Sequence, residues 1–167
     1  MGFRREWLPL GILVLAAGLM AGCIYSFKGS LPSYIRNVAI PLFDDNTAYP
    51  NVRENLTNSV IAGFTSDNTL KVTSETNADI VLTGTILSIT QRAEALTAGE
   101  TVGSYQLLVN VKVKCDDIKN NKVMWEKTLT AFGVMPATAT QDERDAAINE
   151  AIEKISEDIL NNTLANW

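Results

Sequence analysis

The fold is decided by the stretch Ser104–Cys115, which reads S-Y-Q-L-L-V-N-V-K-V-K-C. Apolar or aromatic residues occupy every second position from Tyr105 to Cys115, and the positions between them are polar apart from Leu108. A period of two residues is typical of a strand with one buried and one solvated face. This stretch therefore predicts a long strand that packs one face on a hydrophobic core.

A further long strand is expected on each side of this one. The preceding strand covers about Asp79 to Ala95, and its alternation shifts at Leu87, which predicts a β-bulge or burial of both faces. The following strand covers about Val123 to Val134, after a polar turn at 119–122. Three successive strands joined by turns predict an antiparallel meander.

Two amphipathic helices are predicted, one before and one after the meander. The first follows Pro50 and ends near Ser66–Asn68. The second begins after Thr140, which forms a capping-box pattern with Glu143. Both have an apolar stripe at helical spacing. The stripes are Val52, Leu56, Val60 and Phe64 in the first helix, and Ile148, Ile152, Ile155 and Ile159 in the second.

Shorter strands complete the predicted sheet. Arg36–Phe43 is expected to form the first strand, in which Pro41 predicts an edge position or a bulge because proline lacks an N–H. A polar turn follows at Asp44–Thr47, and Leu70–Thr73 is a short candidate strand. The order β-α-β-β-β-β-α predicts an α/β (α+β) sandwich, with two helices packed on one face of a four- to five-stranded, mostly antiparallel sheet.

The amino-terminal segment has the features of a lipoprotein export signal. Two cations, Arg4 and Arg5, precede an apolar run that ends at Gly22, and Leu19–Cys23 has the form of a lipobox. The apolar run is shorter than the roughly 20 residues of a membrane-spanning helix. A plain secretory signal would not require a cysteine here.

We therefore expect a lipoprotein signal peptide at 1–22, a lipidated tether at 23–33 and a single domain at 34–167. Cys23 would carry a diacylglycerol group and an N-acyl chain such as palmitate, which together hold a protein firmly on a membrane. Ile24 follows the cysteine. Because an aspartate at that position tends to retain lipoproteins at the inner membrane, the isoleucine favours the outer membrane.

Composition excludes several classes of chemistry. The chain has no histidine, so catalysis by Ser-His-Asp or Cys-His and zinc sites of the HExxH type are ruled out. With 14 basic and 19 acidic residues it is unsuited to nucleic acid. Cys115 reads as a small buried hydrophobe, and the acidic pairs Asp44–Asp45 and Asp116–Asp117 read as turn residues rather than as a cation site. We expect no catalytic residue, metal site or non-covalent cofactor.

Lys112 and Lys114 are the candidate ligand-binding residues. They project from the polar face of the strand that decides the fold, and further lysines follow at 119 and 122. Such a patch could contact a phosphate-bearing ligand in an acidic protein. The alternative is that these lysines serve solubility and protect a sheet edge.

The whole mature chain resembles the lipopolysaccharide-assembly lipoprotein family LptE. The resemblance rests on an ordered set of features rather than on one motif. They are the lipobox, a strand, the turn Phe43-Asp44-Asp45-Asn46-Thr47, a helix, the strand entry Ala78–Gly84, a long meander with Trp125-Glu126, and a terminal helix rich in Ala, Ile and Glu.

The resemblance implies a non-enzymatic protein. Members of the family are plugs inside the LptD β-barrel of the outer membrane, lipid-anchored on the periplasmic side, and they assist barrel assembly and lipopolysaccharide delivery. The expected partners are thus an LptD-like barrel, lipopolysaccharide and the membrane. The alternatives are another envelope binding or secretion lipoprotein, pilotin-like or curli-secretion-like, and a hydrolase or isomerase that uses carboxylates alone.

Overall fold

The computed structural model describes residues 31–97 and 101–165. The predicted signal peptide, Cys23 and most of the predicted tether lie outside the described residues. In chain order the elements are β1 (Asn37–Ala39), β2 (Asp44–Asp45), α1 (Val52–Asp67), β3 (Lys71–Val72), β4 (Ile80–Thr97), β5 (Thr101–Asp117), β6 (Lys122–Pro136) and α2 (Gln141–Ala165), with a 3-10 turn at Glu75–Asn77.

The strands form one six-stranded mixed sheet in the order β3-β1-β4-β5-β6, and β2 also pairs with β4. The long ladders β4–β5 and β5–β6 are antiparallel, whereas the short strands pair in parallel. Both helices pack on one face of the sheet. The α+β sandwich with a mostly antiparallel sheet is confirmed, and β2 adds a strand to the predicted number.

The core-facing side of β5 is the centre of the hydrophobic core. The alternation predicted this face, because side chains two residues apart point the same way in a strand. Complete burial of a Val or Leu side chain contributes about 1.5–3 kcal/mol each. The fully buried residues of this face are Leu107, Val109, Val111, Val113 and Cys115, each with 0% of its surface exposed.

The predicted bulge in β4 is confirmed. The pairing with β5 shifts between Ile86, which lies opposite Val111, and Ser88, which lies opposite Asn110. Leu87 is the inserted residue and is 41% exposed. Beyond the bulge Ile89 returns to the core side opposite Val109. The insertion thus changes which residues of β4 face outward, from odd numbers before it to even numbers after it.

The first predicted strand is shorter than expected. β1 ends at Ala39, before Pro41, and lies between β3 and β4 rather than at an edge. The chain rejoins the sheet as β2, so Asp44–Asp45, predicted as a turn, pairs in parallel with β4 instead. Proline interrupts the ladder because it has no N–H to donate. The Phe43 ring then packs over Gly84, where an added Cβ would lie 2.5 Å from a ring carbon.

The two helices follow their predicted signals. α1 buries the predicted stripe and ends before Asn68, which is in the left-handed conformation with φ 59°. At the start of α2 the Glu143 carboxylate accepts from the Thr140 N–H at 2.7 Å, and the Glu143 N–H donates back to the Thr140 hydroxyl at 3.3 Å. The capping box is therefore confirmed. Within the part of the chain that the structure describes, no helix has the length and apolarity needed to cross a membrane.

Candidate functional site

The face of the sheet opposite the helices, called the open face here, brings the candidate lysines together. It consists of the even-numbered residues of β5 and their cross-strand partners. Lys112 lies between Thr85 of β4 and Thr128 of β6, and Lys114 lies between Thr83 and Glu126. Both lysines stand on the central strand of the three longest ones, so their position is set by two continuous ladders.

Each of the two lysines forms an ion pair on this face. The Lys112 Nζ lies 2.5 Å from Glu126 Oε1, and the Lys114 Nζ lies 2.8 Å from Asp116 Oδ1. The hydrogen bond from Lys112 lowers the pKa of Glu126, and the hydrogen bond to Asp116 raises the pKa of Lys114. Each ammonium group is thus balanced locally by one carboxylate.

The lysines border a shallow depression of about 250 Å³. Their side chains remain 53% and 40% exposed, so the ammonium groups are accessible to a ligand. Exposed ion pairs are weak, contributing about 0–1 kcal/mol. A phosphate could therefore displace the carboxylates and take their place. The depression is lined by Asp44, Thr83, Gly84, Thr85, Lys112, Lys114 and Glu126.

A third cation on the open face was not identified from the sequence. Arg92 lies opposite Gln106, and its Nη2 donates to Gln106 Oε1 at 2.7 Å. The Gln106 amide also contacts Glu94 Oε1 at 3.4 Å, so the arginine is held against the sheet beside an acid. An even residue number after the bulge in β4 indicates an outward-facing side chain. The direction of Arg92 can therefore be predicted only once the bulge at Leu87 has been placed.

Hydrogen bonds across three strands stiffen the middle of the open face. Asn110 donates from Nδ2 to Ser88 Oγ at 3.0 Å and accepts at Oδ1 from the Thr130 hydroxyl at 2.6 Å. The three residues lie directly opposite one another in the ladders. Satisfied polar pairs of this kind fix the register of a sheet whose face is not buried in the core.

Next to the polar rows lies an apolar strip. Phe132 is opposite Leu108, and Val134 is opposite Gln106; Phe132 and Val134 are 39% and 41% exposed. The Lys154 Nζ from α2 reaches round the β6 edge, lies 5.0 Å from the Phe132 ring centroid and donates to the Phe132 carbonyl at 2.9 Å. The open face thus combines cations with exposed apolar side chains, which suits an amphiphilic ligand carrying phosphate.

The cysteine and acidic residues that are predicted to have structural rather than chemical roles contact other residues of the fold. Cys115 is fully buried, with its Sγ 3.7 Å from the Met124 sulfur, and burial raises the pKa of its thiol to about 12. Asp116 and Asp117, predicted as turn residues, are the last two residues of β5 instead. Asp117 accepts from the Tyr34 hydroxyl at 2.5 Å and from Asn120. Among residues 31–97 and 101–165, no three acidic or cysteine side chains are grouped so that they could hold a metal ion. Cys23, the predicted lipid-attachment residue, lies outside this part of the chain.

The fold is shared with solved structures at low sequence identity. A hypothetical protein of Chlamydia trachomatis superposes with a TM-score of 0.58 at 12% identity, over 79% of this chain and 99% of that one. Rare lipoprotein B of Shewanella oneidensis gives 0.53 at 16% identity, over 76% and 92%. PelC of Paraburkholderia phytofirmans, solved as a dodecamer, gives 0.52 at 17% identity, over 76% and 89%. These similarities show the fold.

A comparison with curated proteins found no match. A family model for lipopolysaccharide assembly, by contrast, matches residues 35–163. The match begins just before β1 and ends near the carboxyl end of α2, so it covers the sheet, both helices and the open face. The chain therefore belongs to the LptE lipopolysaccharide-assembly family.

Proposed function

We propose that this protein is a non-enzymatic outer-membrane lipoprotein that acts as a plug and assembly partner of an LptD β-barrel in lipopolysaccharide transport. The observation that carries the proposal is the family match over residues 35–163, which covers the complete fold. The sequence adds the lipobox ending at Cys23, which supplies the expected anchor.

The open face has the surface chemistry that a plug requires. The interior of an outer-membrane barrel is polar. The Ser88–Asn110–Thr130 row and the Lys112–Glu126 pair present hydroxyl, amide and charged groups that can hydrogen-bond to such a wall or to water. The hydrophobic core is enclosed between the sheet and the helices, so the domain folds around its own core rather than around its partner.

The same face is our candidate for lipopolysaccharide contact. The phosphates of the ligand would bind Lys112 and Lys114 in place of Glu126 and Asp116, in charge-assisted hydrogen bonds. The neighbouring strip at Phe132 and Val134 would accept apolar parts of the molecule. No chemical step is required of the protein, because the transported molecule enters and leaves unchanged.

Depletion of the protein in its native cells tests the proposal. Loss of a plug and assembly partner should reduce lipopolysaccharide on the cell surface and the amount of folded LptD barrel, and re-expression of the wild-type chain should restore both. Unchanged surface lipopolysaccharide after complete depletion would contradict the proposal. It would favour another envelope lipoprotein module of pilotin-like or curli-secretion-like type.

A further inference from the structure

We propose that the end of the sheet where the chain enters the fold rests on a phospholipid surface through a basal tip formed by Tyr34, Ile118, Lys119, Lys122 and Val123. The proposal rests on the lipid anchor of the proposed function and adds a second contact with the same membrane. The β5–β6 turn supplies Ile118 and Lys119, the start of β6 supplies Lys122 and Val123, and the segment that leads in from the tether supplies Tyr34.

The β5–β6 turn is fastened to the entering chain by hydrogen bonds. The Tyr34 hydroxyl donates to Asp117 Oδ2 at 2.5 Å and accepts from Asn120 Nδ2 at 2.8 Å. The backbone N–H of Ile118 donates to the Asp79 carbonyl at 3.0 Å. These contacts join residues far apart in sequence, so the turn and the end of the tether form one unit.

A buried carboxylate completes the attachment. Asp79 is 5% exposed, and its Oδ1 lies 2.6 Å from the Lys119 ammonium group. Its Oδ2 accepts from the backbone N–H groups of Arg36 and Asn37, both at 2.9 Å. The side chain thus bridges the turn and the start of β1.

The exposed composition of the basal tip suits the interface of a bilayer. Ile118 is 51% exposed, Val123 43% and Tyr34 38%, so three apolar or aromatic side chains project at one end of the sheet. Lys119 lies 5.9 Å from the Tyr34 ring centroid, and Lys122 is exposed beside them. Aliphatic side chains with tyrosine and lysine favour the interface, because their apolar parts insert while their polar ends stay in water.

Two of the carboxylates near the tip are paired with lysine, Asp79 with Lys119 and Asp116 with Lys114. Asp117 accepts hydrogen bonds from Tyr34 and Asn120, which fix its side chain without neutralising its charge. The two ion pairs reduce repulsion from anionic lipid headgroups at this end. The apolar side chains then carry the contact and the lysines orient it.

The chain between the predicted anchor at Cys23 and the fold is short, which favours a membrane as the partner of the basal tip. The ~11 residues from Cys23 to Tyr34 reach at most about 40 Å when fully extended. β5 alone, with its 17 residues, is about 56 Å long. The predicted anchor thus keeps the basal tip within about 40 Å of the lipid, whereas the far end of the sheet can lie farther away. A short tether gives an effective concentration in the millimolar range, so a weak contact is sufficient.

The test uses the full-length lipidated chain with Ile118→Cys and, as matched control, Leu87→Cys in the β4 bulge. Both side chains are exposed, whereas Cys115 is buried with its thiol pKa raised to about 12, so an environment-sensitive fluorophore labels the new cysteine selectively. The labelled proteins are reconstituted in vesicles of phosphatidylethanolamine and phosphatidylglycerol containing nitroxide-labelled lipid, and vesicle flotation is measured first.

We expect both proteins to float, and the label at 118 to shift its emission to the blue and lose most of its fluorescence to the nitroxide. The label at 87 should retain an aqueous spectrum. Flotation with identical spectra at both positions would overturn the basal-tip contact and leave the anchor intact. Failure of both proteins to float would overturn the anchor and, with it, this contact.

Discussion

Lys112 and Lys114 stand on the open face with their charges already balanced. Each ammonium group holds a carboxylate, Glu126 or Asp116, at hydrogen-bond distance. Binding of an anion at this candidate site would therefore be an exchange of partners rather than the filling of a bare cationic patch. Such an exchange would allow a protein with a formal charge of −5 to hold a phosphate group on this face.

Reversing both charges should weaken lipopolysaccharide binding. In Lys112→Glu with Lys114→Glu, the two new carboxylates would join those of Asp44, Asp116 and Glu126. Loss of two exposed charge contacts should lower the affinity about tenfold. The matched control is Lys127→Glu, a β6 lysine whose Nζ contacts Asn162 of α2. Binding to immobilised lipopolysaccharide measures the effect; equal affinity of the double variant and the control would assign Lys112 and Lys114 to solubility.

Asp79 should make the free energy of unfolding depend on pH. Mainly because of its hydrogen bond from Lys119, its pKa is lowered from 3.8 to about 2 in the folded protein. Because the folded state thus binds its proton less readily than the unfolded chain, the carboxylate stabilises the fold by roughly 2 kcal/mol above pH 4, and this contribution is lost as the pH falls towards 2.

Urea unfolding of wild type and Asp79→Asn at several pH values measures this effect. At neutral pH the variant should have a lower free energy of unfolding by about 2 kcal/mol, because Lys119 and two backbone N–H groups lose their charged partner. This difference in free energy between wild type and variant should disappear as the pH falls from 4 to 2. A gap independent of pH would show that the charge of Asp79 is not what stabilises the fold.

Among the elements, those with strong local periodicity could be predicted from sequence. The alternation of β5, the stripes of α1 and α2, and the break in pattern at Leu87 each report a physical constraint that acts within one segment. The capping box at Thr140 is likewise local.

Features that depend on distant contacts could not be predicted. β2 forms because Phe43 packs over Gly84, a contact between segments about 40 residues apart that no local pattern records. The outward direction of Arg92 depends on the bulge before it, and the ion pairs of Lys112 and Lys114 depend on cross-strand or side-chain geometry. The strand was thus predictable, whereas the electrostatic state of the candidate site was not.

Gly133 should be required for the contact between β6 and α2. A Cβ at this position would collide with the backbone of Ala147, which cannot move independently of the helix. Gly133→Ala should therefore lower the free energy of unfolding by about 1–3 kcal/mol.

The control for that change is Gly63→Ala in α1, where a Cβ would meet no atom of the described residues within 4 Å. This substitution should raise stability by up to about 1 kcal/mol, since alanine favours helix over glycine. Thermal unfolding of the two variants compares them. Similar shifts of the melting temperature in the same direction would show that the close approach of α2 to β6 does not require glycine at position 133.

In the whole molecule, the predicted anchor and the candidate ligand site occupy different parts of the fold. The tether enters at one end of the sheet, next to Tyr34, and the candidate ligand site extends along the open face from there.

Replacing the predicted acylation site should release the protein from membranes. Cys23→Ala removes the thiol that would receive the diacylglycerol group, and without acyl chains the protein loses its firm hold on a membrane. Fractionation of cells that express the variant without its barrel partner should recover it in the soluble envelope fraction, whereas Cys115→Ala should remain with the membranes. Tight membrane association of the Cys23→Ala protein would contradict the anchor.

Association with a barrel is the property on which the proposed function depends, and co-purification measures it. The tagged full-length chain is isolated from native membranes in mild detergent, and its partners are identified by mass spectrometry. We expect stoichiometric recovery of one large LptD β-barrel together with lipopolysaccharide. Repeated recovery of soluble partners or of the chain alone, under conditions that keep other barrel complexes intact, would contradict it.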